Sequence, residues 1–421
     1  MKKGLSLALV CLLSGALIGC KEKSENFTPS LDKEVTGVVN VAGHYDNFEA
    51  LEEEFNRFNE YYPNVELEYT KLDNYNRVIS TTLTSDTAPD IYFTLPWMMN
   101  SDDYSDLFDN AEDLSDSSLK INLSCIRDGL LAKDKYNKTS LVPIYTTTYG
   151  MMVNENIFKK EGKSIPKTYN ELISVCNEFK DAGYDNPVMG YNKNSSLLYS
   201  LYFPYFCGSI AGNQTAINEL NQLKPEAGEY MRSSLNLITD FMGRNIVNLD
   251  NCNEIADDYN SVIKRFFEGD IPMMFSSSST VSGTKKREIQ SEAFQANPFK
   301  YSFHPVPSTD AGGFFLNTIS IGFSVNKNSK NLDVANEFMR FLISTSELNA
   351  MAENKRMVTP CKNMALDEIY SSFGEINDKI IYMYDLGLAD GPDGQVRKAG
   401  AQVTNGTMTV DEAVAAFGTF K

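Results

Sequence analysis

Val35-Thr36-Gly37-Val38-Val39-Asn40-Val41-Ala42 runs straight into Gly43-His44-Tyr45-Asp46, and this junction decides the fold. The β-branched run predicts a buried strand, and the glycine-led tetrapeptide breaks it. A helix follows. Asp46 and Glu49 have the spacing of a capping box, and Phe48, Leu51, Phe55 and Phe58 step by three, four and three along one helical face. Pro63 closes that helix, and Val65-Glu66-Leu67-Glu68-Tyr69 then alternates as a strand does. Asp73 to Leu83 reads as helix, and Asp90-Ile91-Tyr92-Phe93 as another short buried strand after Pro89. Strand, helix, strand, helix, strand predicts an α/β fold, a mostly parallel sheet flanked by helices.

Further along the rhythm changes. Ser164 to Tyr184 predicts a loop around Pro166 and then a helix with Leu172, Val175, Cys176 and Phe179 on one stripe. Tyr199 to Phe206 and Pro225 to Arg244 read as largely helical. Strand-like sequence returns at Ile271 to Ser276 and Thr318 to Val325, before helical spacing resumes at Leu332, Ala335, Phe338, Met339 and Leu342. Sheet regions that stop and resume imply two lobes joined by more than one crossing of the chain. About 400 residues after a leader also exceed what one core supports. The expected division is 35–145 plus 275–325 for one lobe, and 146–274 plus 326–421 for the other.

The amino terminus carries a separate message. Lys2 and Lys3 precede an apolar run from Gly4 to Ile18, about 15 residues where a membrane span needs about 20. That is a secretory signal, expected over residues 1–19. Leu17-Ile18-Gly19-Cys20 resembles the lipobox of bacterial lipoproteins, which implies cleavage after Gly19 and acylation (palmitate) of Cys20. The alternative is an ordinary secreted protein with a chance cysteine. Residues 20–34 are polar and read as the lipidated cysteine and a flexible tether. The expected location is the extracytoplasmic face of the cell membrane, held by lipid.

The net charge of -18, from 38 Lys and Arg against 56 Asp and Glu, excludes nucleic acid as a partner, because phosphates need clustered cations. It equally disfavours lying flat on anionic lipid. Beyond the leader and Cys20, the cysteines are Cys125, Cys176, Cys207, Cys252 and Cys361, none in a Cys-x-x-Cys pair. With only His44 and His304 besides, neither a metal centre nor a cofactor is expected.

Several motifs, in order, resemble the family 1 extracellular solute-binding proteins. Tyr62-Pro63-x-Val65 and Ala88-Pro89-Asp90-Ile91 match its early helix and strand entries. Leu141-Val142-Pro143-Ile144, then Gly150 to Asn154 and Phe158, match its crossing between lobes, with Val153 in place of tyrosine. Ile165-Pro166-Lys167-Thr168-Tyr169-Asn170-Glu171-Leu172 is similar to a helix start that usually carries tryptophan where Tyr169 stands. Phe267 to Met274, Pro305-Val306-Pro307, Gly312-Gly313 and Ala335 to Leu342 complete the set. The resemblance covers most of Val35 to Phe420. It implies a two-lobed, type II periplasmic-binding-protein-like fold with a hinged cleft. It further implies a monomeric receptor, not an enzyme, that hands a carbohydrate to an ABC permease.

A sugar cleft needs flat aromatic faces against pyranose C–H groups, and polar groups for hydroxyls that closure would otherwise strand. Loops at the carboxyl ends of strands are the expected positions. Tyr45 and Asp46 follow the first strand, and Asp46 serves equally as a helix N-cap. Trp97, the only tryptophan, sits in the loop after Ile91 to Thr94, for stacking on ligand or on a neighbouring helix. Tyr145, Thr147 and Tyr149 lie in the crossing after Pro143. Tyr205 and Phe206, with Tyr202, form an aromatic cluster whose bland reading is core. Ser276 follows a strand, Phe315 follows the glycine pair, and Arg356 is a remoter candidate. Adjacent acids such as Asp102-Asp103 and Asp257-Asp258 read as solvated surface rather than a glycosidase pair. A glycan-degrading enzyme and a binder of peptides or polyamines remain the competing readings.

Overall fold

The computed structural model describes residues 27–420 apart from 47, 100–101, 192–194, 249–250, 252–253, 256–258 and 376–379. The leader, Cys20, Cys252 and Asp257-Asp258 therefore lie outside the described residues. The strands are β1 (Gly37–Gly43), β2 (Val65–Lys71), β3 (Ile91–Thr94), β4 (Val142–Asn154), β5 (Val188–Met189), β6 (Met273–Ser277), β7 (Tyr301–His304), β8 (Pro307–Thr309), β9 (Gly312–Gly313), β10 (Phe315–Val325) and β11 (Ile380–Tyr382). Nine of them form one continuous sheet ordered β2-β1-β3-β10-β4-β6-β5, with β11 beside β10 and β7 beside β4.

β1 pairs in parallel with both β2 and β3, as the opening sequence predicts. The sheet as a whole is mixed rather than mostly parallel. β10 runs antiparallel to β3 and β4, and β4 antiparallel to β6 and β7. Local patterning reveals that a strand is buried, but not its direction.

Two long strands carry the chain between lobes. β4 pairs through Val142 to Thr148 with β10, then through Tyr149 to Val153 with β6. β10 pairs through Asn317 to Phe323 with β4 and through Gly322 to Val325 with β3. A third crossing follows α7 (Thr345–Lys355), itself preceded by α6 (Leu332–Leu342), and there Thr146 N–H donates to Val358 O at 2.9 Å.

The helices used here are α1 (Glu49–Phe58), α2 (Tyr75–Leu83), α3 (Tyr169–Asp181), α4 (Phe203–Ile210), α5 (Arg232–Gly243), then α6 and α7 as given, and α8 (Asp390–Thr404). In α1, Phe48 packs just ahead of the first turn and Leu51, Phe55 and Phe58 are buried on the predicted face. The predicted capping box is not formed. Phe48 is the N-cap, without a side-chain cap bond, and Asp46 instead pairs with Lys71 at 2.8 Å. α3 has a true capping box, Thr168 with Glu171, and buries Leu172, Val175, Cys176 and Phe179 as its stripe requires.

One core gathers Val39, Phe48, Phe58 and Tyr145 with Phe323, Phe338 and Met351. A second collects Met151, Phe179, Phe206, Phe241 and Val396, and a third Met152, Phe267, Phe294, Phe303 and Phe373. Against the expected division, Met273 to Phe303 thus pack with residues 151–267, and Val334 to Met357 pack with residues 39–145.

The expected flexible tether also changes. From Phe27 onward the segment is docked: the Phe27 ring meets Phe341 edge-on at 5.3 Å, with the Arg340 guanidinium 4.6 Å from its centroid. Ser30 N–H and Oγ donate to Glu337 at 2.8 and 2.6 Å, and Tyr62 OH donates to the same carboxylate. Polar composition concealed this because the bonds are made to α6, more than 300 residues away. Among the described residues, no helix is long and apolar enough to cross a membrane.

Candidate functional site

Between the lobes, where β4 and β10 cross, lies a cleft of about 970 Å³. The first lobe supplies Leu95, Pro96 and Trp97 from the turn after β3, the crossing strands supply Thr147, Tyr149 and Thr318, and the second lobe supplies Tyr199, Ser277, Asp390, Asp393 and Arg397. A concavity of about 590 Å³ beside Asn40, Glu68, Asp86 and Asp90 is drawn from first-lobe segments alone, so a solute there has no second lobe to grip.

Trp97 is held out by its neighbours. Pro96 starts a single 3₁₀ turn, Pro96–Met98, in which Pro96 and Met98 are buried. Trp97 is left 50% exposed, its ring edge-on to Tyr104 at 5.2 Å. An indole presented to solvent in a concave site is suited to an apolar ring face.

The opposite lobe offers a stacked column. Tyr149 and Tyr199 stack with centroids 5.2 Å apart and planes 22° apart. Tyr199 lies in a π-helical turn, Leu198–Tyr202, that precedes α4; such turns recur at functional sites. The Arg397 guanidinium stands 5.4 Å from the Tyr199 centroid and 3.8 Å from that of Phe203.

Arg397 is fixed by Asp393, whose Oδ2 accepts from Nε at 2.7 Å. Asp393 Oδ1 is buried with no hydrogen-bond partner among the described residues. Burial pushes the Asp393 carboxyl above its ordinary value, which the Arg397 charge only partly offsets. Burial opposes the Arg397 charge, but the Asp393 carboxylate outweighs it and holds the guanidinium above its usual value.

Hydroxyls occupy the floor. Thr147 Oγ1 lies 2.8 Å from Ser279 Oγ and 3.2 Å from Ser278 Oγ, and Ser278 Oγ accepts from Thr148 N–H at 3.0 Å. The site therefore combines ring faces with hydroxyl and charged groups, without any group of His, Cys, Asp and Glu able to hold a metal among the described residues.

Of the sequence-predicted residues, the structure brings Trp97, Thr147 and Tyr149 together in this cleft. It places the others elsewhere. Tyr145 is fully buried in the first core and its OH donates to Met351 O at 3.3 Å. Phe206 is fully buried against Phe203, and Phe315 against Phe373 at 4.1 Å. Ser276 is fully buried in β6, one residue from the cleft-lining Ser277. Tyr45 packs against Phe48 and Phe93, and the Asp46 side chain is 91% exposed beside Lys71. Tyr205 is half-buried on α4 and does not line the cleft. Arg356 is tied to Glu288 at 2.7 Å and to Asp367 at 3.1 Å.

Sequence reasoning missed Tyr191, Asp390, Asp393 and Arg397. A usable signal existed for the last three, since spacings of three and four put them on one face of a helix that opens with Pro392 in its first turn.

Among solved structures, the chain is similar to the GacH receptor of Streptomyces glaucescens, solved unliganded and with acarbose, at TM-score 0.68 and 18% identity over 91% of this chain and 97% of that one. The apo form of RafE from Streptococcus pneumoniae gives TM-score 0.67 and 15% identity over 93% and 98%. A sugar transporter from Bacillus licheniformis in complex with stachyose gives 0.62 and 15% over 90% and 99%. These likenesses establish the two-lobed fold. No curated protein matches the sequence. Residues 42–347 match the sequence profile described as bacterial extracellular solute-binding protein. The chain belongs to that family, whose members are substrate-binding receptors rather than enzymes.

Proposed function

We propose that this chain is an exported, lipid-tethered receptor that captures a carbohydrate, in the size range of an oligosaccharide, and delivers it to an ABC permease. The observation that carries the reading is one cleft with Trp97 from the first lobe and, facing it, Tyr149 of the crossing strand β4 stacked on Tyr199 of the second lobe. Ring faces there suit pyranose C–H surfaces, and Thr147, Ser277, Ser279 and Asp393 suit sugar hydroxyls. Two of the similar structures were solved in complex with acarbose and with stachyose, which supports the same ligand class here.

Ligand favours closure only by touching both lobes, because equal affinity for open and closed states shifts nothing. In our reading, residues 27–145 and 319–357 form the first lobe, 149–316 and 366–417 the second, and β4, β10 and the third crossing flex between them. The anchor is acylated Cys20. Phe27 is docked on the first lobe, and only Lys21 to Asn26 separate it from Cys20 in the sequence. That short separation keeps the first lobe beside the membrane and its permease.

A thermal-shift screen over oligosaccharides, peptides and polyamines tests the solute class, since ligand raises apparent stability by mass action. Stabilisation by oligosaccharides, recovered intact, is the expected result; stabilisation by peptides or polyamines alone overturns the carbohydrate assignment. Loss of acyl labelling in Cys20→Ala tests the anchor.

A further inference from the structure

We infer that Cys125 and Cys361 form a disulfide that locks the third inter-lobe crossing onto the first lobe once the chain meets an oxidant. Both are buried thiols in the structure, and they belong to one core although 236 residues separate them. The segments that carry them are already stitched together. Ile126 and Cys361 form an antiparallel bridge, Arg127 N–H donates to Pro360 O at 3.0 Å, and Lys362 N–H donates to Cys125 O at 2.8 Å. Cys125 is the leading influence on the Cys361 thiol, which places the two side chains within reach of each other. The two backbone segments are thus held side by side, and the approach of two cysteine backbones is the usual obstacle to such a bond.

Among the described cysteines, the surroundings suit thiol chemistry at this pair and not at the others. The hydrogen bond from Cys125, together with the nearby Arg127 charge, holds the Cys361 thiol below its ordinary value despite burial. Arg127 is itself fixed, donating from Nη2 to Thr359 O at 2.6 Å. In contrast, burial pushes Cys176 up to about 12 and raises Cys207 as well, and both lie in the second lobe's core. A lowered thiol beside a fixed cation reacts faster than one buried in apolar surroundings.

The oxidant required is a disulfide, either a small molecule or an oxidoreductase. Cys125, 8% exposed against 0% for Cys361, attacks one oxidant sulfur, giving a mixed disulfide and releasing one thiol. The Cys361 thiolate, its proton lost to solvent, then attacks the Cys125 sulfur and releases the second thiol. Two protein thiols are oxidised and one disulfide is reduced. The consequence is mechanical. Val358 to Cys361 leads from α7 into the second lobe and is already bonded to β4 at Thr146, so the new bond fixes where that crossing begins to flex.

The test incubates the purified chain with oxidised glutathione, quenches with acid, alkylates in denaturant and maps peptides without reductant. The expected product links the Cys125 and Cys361 peptides with loss of two hydrogens, leaving Cys176 and Cys207 alkylated. It raises Tm by about 5 °C, a rise absent in Cys361→Ser. Alkylation of both cysteines, glutathione retained on Cys125, or a link from either to Cys176, Cys207 or Cys252 overturns the inference. Because the map is made on the native sequence, it decides even if Cys361→Ser does not fold.

Discussion

Tyr149 on β4 and Tyr199 in the π-helical turn before α4 lie ring on ring, 5.2 Å between centroids. The pair joins a crossing strand to a second-lobe helix, so a solute that lies on it touches both elements. Tyr199→Ala removes one ring and leaves Tyr149 without its stacked neighbour. It should weaken oligosaccharide binding by about 1–2 kcal/mol in calorimetry, whereas Tyr199→Phe keeps most of the affinity. Equal loss in both variants would show that the hydroxyl, not the stack, matters.

Arg397 is the second lever on the same column. It faces Tyr199 and Phe203 and neutralises Asp393. Arg397→Met leaves the Asp393 carboxyl in a site where burial already disfavours its charge. Stability should fall by about 2–3 kcal/mol, because removing one partner strands the other. The double variant with Asp393→Asn should recover part of that loss in denaturant melts. No recovery would mean that Arg397 acts by packing alone.

Much of the scaffold was legible in sequence because it repeats at a fixed period. Phe48 to Phe58 at helical spacing, and Leu172 to Phe179 likewise, gave α1 and α3 their buried faces. The cleft was less legible, for a geometrical reason. Tyr145, Thr147 and Tyr149 share one face of β4, yet Tyr145 is in the first core while the other two line the cleft. The strand leaves one lobe between them, and no local pattern marks that departure. Asp393 and Arg397 were missed because α8 lies over 200 residues from β4 in sequence and meets it only through the closed chain path.

Glu54 on α1 and Glu347 on α7 supply a pH prediction. Burial, and then the hydrogen bond and charge of Glu347, raise the Glu54 carboxyl to about 9, while Arg57 bonds to both acids. Below about 4.5, folded and unfolded chains both hold this proton and its contribution is fully present. As pH rises from there to about 9 the unfolded chain binds fewer protons than the folded one, and stability is lost. Glu54→Gln keeps a donor toward Glu347 without the titration. It should be more stable than the parent at pH 8, by on the order of 1–3 kcal/mol, and the difference should vanish near pH 4. A difference independent of pH would place the cost in packing.

Trp97 is the only tryptophan in the chain, half exposed in the cleft, so its fluorescence reports on the site without a label. Titration with oligosaccharides of the acarbose and stachyose type tests the central claim most directly. A saturable blue shift is expected as a sugar ring displaces water from the indole, at the same concentrations that raise Tm. A sugar that raises Tm while leaving Trp97 emission unchanged at saturation would contradict that claim.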